Sequence, residues 1–474
     1  MQLVLNKFSD QRRFSYKIFF FSLILIFPLI LLLNYFSLST KSVVIIIGLP
    51  LISVIFFSFD AFKFFFIVSL FTYYYFFGLY LAVFIALTFF LSFLITHYNI
   101  QKDFFNTPLT LPFIIYYFSI IPSFINSSDI LLSFYMLLNL HAVILLLLIF
   151  GYTNNDYKKI KNVISTFISL CIFDALVIIF YGLTVGGRVF GFSGIVFVDF
   201  SAISIITLLI YLLVRKGKYS YLFVIGILIV LAGLIFTQTR NTFLSLALTS
   251  ITIFIYLIFK KNIFDISGKK LVGIFTTVII VSTILFIILN YYTPDVFQRI
   301  EQVNKSSILS VKSETDIQKS SLITRFLIWD TAWNAFKAHP IIGIGTYSFP
   351  FESSLYYTIP KDLFKTYVEG NSPHITFLAC LTETGILGLL GFLIFLFSSL
   401  KIGFKSVKKA VTENQKFYSL LILSVQIYIF YSMFLTDAWL WGQCGMLWGM
   451  VLGLSIANYK IITSDTQTNM NIVQ

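Results

Sequence analysis

Long uninterrupted apolar stretches constrain this chain more than any other feature. Runs of about 17 to 28 apolar residues recur along the 474-residue sequence, each long enough as helix (about 1.5 Å per residue) to cross a hydrocarbon layer about 30 Å thick. Inside lipid no backbone N–H or C=O can stay unpaired, and a helix pairs them within one segment. The charged fraction agrees: 11% of residues are Asp, Glu, Lys or Arg, against roughly 25% in a soluble chain. The expected fold is all-α, a polytopic membrane bundle of about 12–14 transmembrane helices with one large extracytoplasmic loop.

Fourteen candidate spans cover 17–38, 43–59, 62–77, 79–97, 109–125, 130–151, 160–183, 194–214, 220–237, 241–259, 271–291, 373–400, 417–436 and 441–458. The third and fourth divide one apolar stretch near Gly78 and are either two short spans or a span with a re-entrant piece. The first run is too long for a signal-peptide core and has no small-residue cleavage site after it, so it is expected to stay as a span. The expected organisation is helices over 1–180, helices with outer-face arginines over 181–291, a large outer loop over 292–372, and helices with a cytoplasmic tail over 373–474.

A net charge of +13 admits a nucleic-acid partner, but its distribution argues for membrane topology. With the N-terminus inside, 22 of the 33 basic residues fall in cytoplasmic segments, eight in the long loop and three (Lys41, Arg188 and Arg240) in short outer connections. That asymmetry is the positive-inside pattern. It places both termini in the cytoplasm and the loop outside, and it accounts for the charge with no nucleic acid. Cys171, Cys380 and Cys444 lie in apolar context without CxxC spacing, so neither a disulfide framework nor a metal knuckle is expected.

Arg188 and Arg240 break the charge pattern. Arg188 sits in the glycine-rich turn Gly186-Gly187-Arg188, and Arg240 follows Thr237-Gln238-Thr239 between two apolar runs. A guanidinium near headgroup depth matches phosphate oxygens with a bidentate fork; alternatively it reaches lipid phosphate or pairs with a carboxylate. Asp174, Asp199 and Glu383, within spans, are the available carboxylates. His374 stands where the outer loop re-enters the membrane, and a neutral imidazole there can take a proton from a hydroxyl. His339 precedes Pro340, where a role at the helix end is the simpler account. Leu322, Phe326, Trp329, Trp333 and Phe336 repeat at helical spacing, with Arg325 elsewhere on the turn, and simple packing is expected of that stripe. No Walker, Rossmann, Asp-x-Asp, HExxH or GxSxG pattern occurs. A transferase on this scaffold therefore needs a donor already activated and already in the membrane, and no cofactor or metal is expected.

Five segments in order carry a resemblance: Gly187-Arg188-Val189-Phe190-Gly191, Thr237-Gln238-Thr239-Arg240-Asn241, Ala338-His339-Pro340-Ile341-Ile342-Gly343-Ile344-Gly345, Pro373-His374-Ile375-Thr376, and Glu383-Thr384-Gly385-Ile386-Leu387-Gly388. Over about residues 180 to 440 the chain resembles the O-antigen ligase family, which includes repeat-unit polymerases. Many members have His-Asn where this chain has His374-Ile375. The resemblance implies a metal-independent, C-type glycosyltransferase of the bacterial inner membrane with an outer loop roofing a cavity. Its donor is an undecaprenyl-diphosphate-linked glycan. Its acceptor is a glycan or lipid A–core hydroxyl for a ligase, or a second lipid-linked repeat for an O-antigen, capsule or exopolysaccharide polymerase. It implies Arg188 and Arg240 as the diphosphate clamp and His374 as the base. Arg325, Glu383 and His339 are further substrate-binding candidates. From another class, a transporter of the same lipid-linked glycan remains as an alternative, although no paired halves with interrupted helices are visible.

Overall fold

A computed structural model of the protein describes residues 106–215, 220–264, 321–440 and 442–473, with isolated positions between 63 and 71 and between 267 and 287. No strand occurs among the described residues. The expected spans 17–38, 43–59 and 79–97, and most of 62–77 and 271–291, lie outside them. The remaining expected spans all fall on helices.

In chain order these are α1 (Thr110–Ile120, running on as a 3-10 turn over Ile121–Asn126), α2 (Ile130–Thr153), α3 (Tyr157–Thr184), α4 (Phe197–Val214), α5 (Ser220–Phe236) and α6 (Arg240–Phe264). The hydrophilic segment follows with α7 (Ser321–Ala338), the single turn α8 (Phe349–Glu352) and α9 (Lys361–Tyr367). The C-terminal helices are α10 (Thr376–Lys409), α11 (Glu413–Ser432) and α12 (Gly442–Val473). Among the described residues five segments are long and apolar enough to cross a membrane: Tyr157–Thr184, Gly194–Val214, Arg240–Lys260, Thr376–Lys409 and Gly442–Asp465. Shorter apolar helices cover Thr110–Asn126, Asn139–Thr153 and Ser220–Phe236. The protein is a multi-pass, all-α membrane protein.

Local chemistry fixes the helix ends. Asp156 caps α3 by accepting the Lys159 N–H at 2.8 Å. Thr412 and Gln415 form a reciprocal capping box, so α11 begins at Glu413 rather than at the first apolar residue. α11 is buried over most of its length, and its Gln426 and Ser424 face neighbouring helices rather than lipid.

Close approach of small residues joins the helices. Gly445, Gly449 and Gly453 repeat every four residues on α12, and α2 lies in that groove. A Cβ at Gly449 would stand 2.5 Å from the Val143 carbonyl oxygen, and one at Gly453 would stand 2.6 Å from the Phe150 Cβ. Gly233 of α5 meets Ala175 of α3 in the same way, with a Cβ 3.0 Å from its neighbour's.

Residues 321–372 fold into a cap with its own apolar cluster of Ile328, Ala332, Ala335, Ile344, Phe349, Phe364 and Val368. The aromatic stripe of α7, of which simple packing is expected, packs in part: Trp329 and Phe336 are half-buried. The buried face of α7 carries Ile328, Thr331, Ala332 and Ala335, all fully buried, whereas Phe326 and Trp333 are 44% and 47% exposed. Small side chains let α7 approach α10 closely, and the rings of Phe326 and Trp333 are left on the other side.

The expected span 373–400 is not one straight helix. α10 breaks at Gly385 (φ 65°, ψ −168°), a backbone conformation essentially reserved for glycine. The segment after α7 fills the break. The N–H groups of Ile344 and Gly345 donate to the Thr382 and Glu383 carbonyls at 3.1 and 3.0 Å, and those of Ile386 and Leu387 donate to Pro340 and Ile341 at 2.9 and 3.2 Å. The interrupted backbone of α10 is thus paired within protein, the condition for non-helical chain at membrane depth.

Candidate active site at the arginine–histidine end

The C-terminal ends of α3, α5 and α11 and the N-terminal ends of α6 and α10 meet at one end of the bundle, beneath the cap. Arg188 lies in the turn after α3, where Gly186 and Gly187 both adopt φ 74°. Its Nε donates to the Thr237 carbonyl at 3.1 Å, and its guanidinium lies 4.8 Å from the centre of the Phe190 ring. The Val189 N–H reaches Phe236 at 3.3 Å, tying this turn to the end of α5. Three residues past Thr237, Arg240 opens α6 and is exposed. Its position at a helix N-terminus adds the positive end of the helix dipole to its own charge. The two arginine turns therefore share the Thr237 carbonyl as a junction, which also accepts the Thr239 hydroxyl at 3.2 Å.

The connection between α11 and α12 gathers the remaining groups. The Leu435 carbonyl accepts from Asn241 Nδ2 at 3.0 Å and from Arg325 Nη1 at 3.4 Å. The Thr436 carbonyl accepts from both the N–H and the hydroxyl of Thr376. Asp437, buried, accepts the His374 N–H at 3.2 Å on one carboxylate oxygen, and the other oxygen lies 4.0 Å from His374 Nδ1. Trp329 Nε1 donates to the Pro373 carbonyl at 3.0 Å and ties α7 to the segment that carries His374. Asp437 and Leu435 escaped the sequence reading, and Thr237 entered it only as part of the Arg240 segment. The aspartate belongs to a short turn with no motif around it, and the other two act through backbone carbonyls, which leave no signature in side-chain type.

Electrostatics at this end favour a neutral imidazole. Burial lowers the His374 pKa below its ordinary value; Asp437 opposes that shift and Arg325 reinforces it. Burial also lowers the Arg325 pKa, with Asp437 acting in the opposite direction. The Tyr347 phenol is raised by burial, then by Glu383 and Asp437.

The other carboxylates are committed to structure. Asp174 accepts the N–H groups of Phe192 and Ser193 at 2.7 and 3.2 Å, and the Ser193 hydroxyl as well, so it shapes the turn carrying Arg188. Asp199 accepts from Tyr428 and Ser432 at 2.6 and 3.1 Å within the core. Glu383 accepts the Tyr347 N–H at 3.0 Å and anchors the cap. His339 lies on the same anchoring segment: its Nδ1 is 3.2 Å from Asn126 Nδ2, which also donates to the Gly343 carbonyl at 2.7 Å. The structure thus gathers Arg188, Arg240, Arg325 and His374 around two carbonyl junctions and one carboxylate, and sets Glu383 and His339 where the cap docks on α10. Among the described residues no group of three His, Cys, Asp or Glu side chains is placed to hold a metal ion.

Three non-glycine residues adopt positive φ among the described residues: Gln238 (54°), Tyr347 (60°) and His374 (59°). One lies two residues before Arg240, one on the Glu383 anchor, and one is the histidine itself. Such conformations cost about 1–3 kcal/mol each and cluster at working sites.

Residues 225–393 match the family model described as O-antigen ligase. Over this stretch the chain is similar to O-antigen ligases. The stretch spans Arg240, Arg325, His339, His374 and Glu383, while Arg188 and Asp437 lie outside it. No curated protein matches the chain. That similarity supports a membrane glycosyltransferase of the ligase or polymerase type.

Proposed function

We propose that this protein transfers a glycan from undecaprenyl diphosphate to an acceptor hydroxyl at the outer face of the inner membrane, in the manner of an O-antigen ligase with a lipid A–core acceptor. The observation that carries the reading is the convergence of Asn241, Arg325 and His374 on the single turn Leu435–Asp437, beside the arginine junction at Thr237. In the proposed reaction the acceptor O–H gives its proton to neutral His374 as the oxygen bonds to the anomeric carbon. The bond from that carbon to the diphosphate oxygen breaks, and the carrier leaves as undecaprenyl diphosphate. Inversion is the simplest stereochemistry for one direct displacement. Arg188 and Arg240 neutralise the charge that grows on the leaving group, and Arg325 adds to the positive field. Asp437 is a positioning residue: it holds the His374 backbone and faces its Nδ1, which directs Nε2 at the acceptor.

Complementation tests this. Arg188→Ala, Arg240→Ala and His374→Ala are expressed in cells lacking the native gene, and each is expected to abolish mature glycan at normal protein level. Normal glycan from all three would overturn the assignment. The deletion strain itself reads the acceptor: long chains stranded on the carrier support the ligase, and single repeats would establish a polymerase.

A further inference from the structure

We propose that the opposite end of the bundle holds a second site, which takes the phosphate headgroup of an anionic phospholipid. A cavity of about 550 Å³ opens there, lined by Lys158, Lys161, Arg215, Asn414, Tyr157 and Tyr418 among others. It lies between the start of α3, the end of α4 and the starts of α5 and α11. Arg188, Thr237 and Asp437 follow the far ends of α3, α5 and α11, so the cavity is a helix length away from the candidate active site and does not rest on its chemistry.

The site is built rather than merely basic. Arg215 is fixed by a 2.5 Å hydrogen bond from Nη2 to Asn414 Oδ1 and lies 4.6 Å from the centre of the Phe417 ring. A guanidinium held in this way is oriented before any ligand arrives. Tyr157 and Tyr418 stack at 5.0 Å and 7°, forming a rigid wall. None of the lining residues is a carboxylate. Lys159 is used elsewhere, 2.7 Å from Asn155 and 3.9 Å from Asp156, whereas Lys158 and Lys161 pair with no carboxylate among the described residues. Three cations around a cavity with no carboxylate in its wall call for an anion.

Position selects a lipid over a soluble phosphate. Ser220 lines the cavity, and along α5 from it Tyr221, Leu222 and Ile225 are about half exposed, an apolar surface continuous with the opening. Tyrosines at this depth suit the interface, where the ring is dry and the hydroxyl wet. Basic pockets between helices at a membrane surface bind anionic headgroups.

The test uses the purified full chain in neutral detergent. Retention of dioleoyl phosphatidylglycerol and dioleoyl phosphatidylcholine is measured by native mass spectrometry, and thermal stability is measured with each lipid and with inorganic phosphate. Phosphatidylglycerol is expected to be retained preferentially, and retention is expected to fall about fivefold per cation removed in Lys158→Gln, Lys161→Gln and Arg215→Gln. Lys158→Arg and Lys161→Arg should keep it. The two lysines are exposed, so their substitution leaves the fold intact even if Arg215→Gln does not. Equal retention of the two lipids, or undiminished phosphatidylglycerol retention in the double lysine variant, would overturn the proposal. Stabilisation by inorganic phosphate equal to that by the lipid would also overturn it and establish a soluble-anion site.

Discussion

Substituting Gly385 by alanine tests how the cap is held on the bundle. At φ 65°, ψ −168° the alanine backbone is strained by about 1–3 kcal/mol. Its Cβ would also overlap the Ile341 carbonyl and stand 2.6 Å from the Ile342 nitrogen, both backbone atoms that cannot rotate aside. Relief requires the segment to withdraw, which weakens some of the four hydrogen bonds bridging residues 340–345 to 382–387; at about 1 kcal/mol each, losing one or two adds about 1–2 kcal/mol. The expected destabilisation is therefore about 2–5 kcal/mol. The assay is thermal unfolding of the purified chain in detergent, followed by tryptophan fluorescence because Trp329 and Trp333 sit on the cap. Gly370→Ala separates the two causes: Gly370 has φ 76° but open space where its Cβ would fall, so only the strain remains. A Gly385→Ala protein as stable as wild type, or no more affected than Gly370→Ala, would refute the account of a helix break filled by the cap.

The acidic limb of the pH–rate profile should report His374, since activity requires the neutral imidazole and is lost as pH falls through its pKa. That limb is expected below the ordinary histidine value. Asp437→Asn removes a charge that raises this pKa and should move the limb to lower pH; Arg325→Gln removes one that lowers it and should move the limb to higher pH, and shifts in the same direction would contradict the arrangement. Gly449→Val should part α12 from α2, because the added carbons meet the Val143 backbone; a loss of several kcal/mol, read as a lowered unfolding temperature, is expected, and wild-type stability would argue against that packing.

Much of the helical framework was legible in the chain. Apolar runs can only be helices in lipid, so the expected spans from 109–125 to 241–259 and the last three fall on helices. The boundaries shifted where polar residues decide them, as Thr412 and Gln415 start α11 before its apolar run begins. Arg188, Arg240 and His374 stood out because charge and imidazole are unusual in that context. Their company did not stand out. Asp437 lies 63 residues beyond His374 in sequence and meets it only once α10 and α11 fold back on each other.

Sequence alone therefore determined that the chain crosses a membrane and which cationic groups lie at its apolar boundaries, because solvation in lipid acts on each residue wherever it sits. Tertiary structure decided the rest. It left Phe326 and Trp333 of the α7 stripe exposed, broke α10 at Gly385, spent Asp174, Asp199 and Glu383 on structural hydrogen bonds, and set Asp437 beneath His374. Each of these depends on backbone approach between distant segments. That approach is governed by small residues and carbonyl acceptors whose partners become defined only when the helices pack.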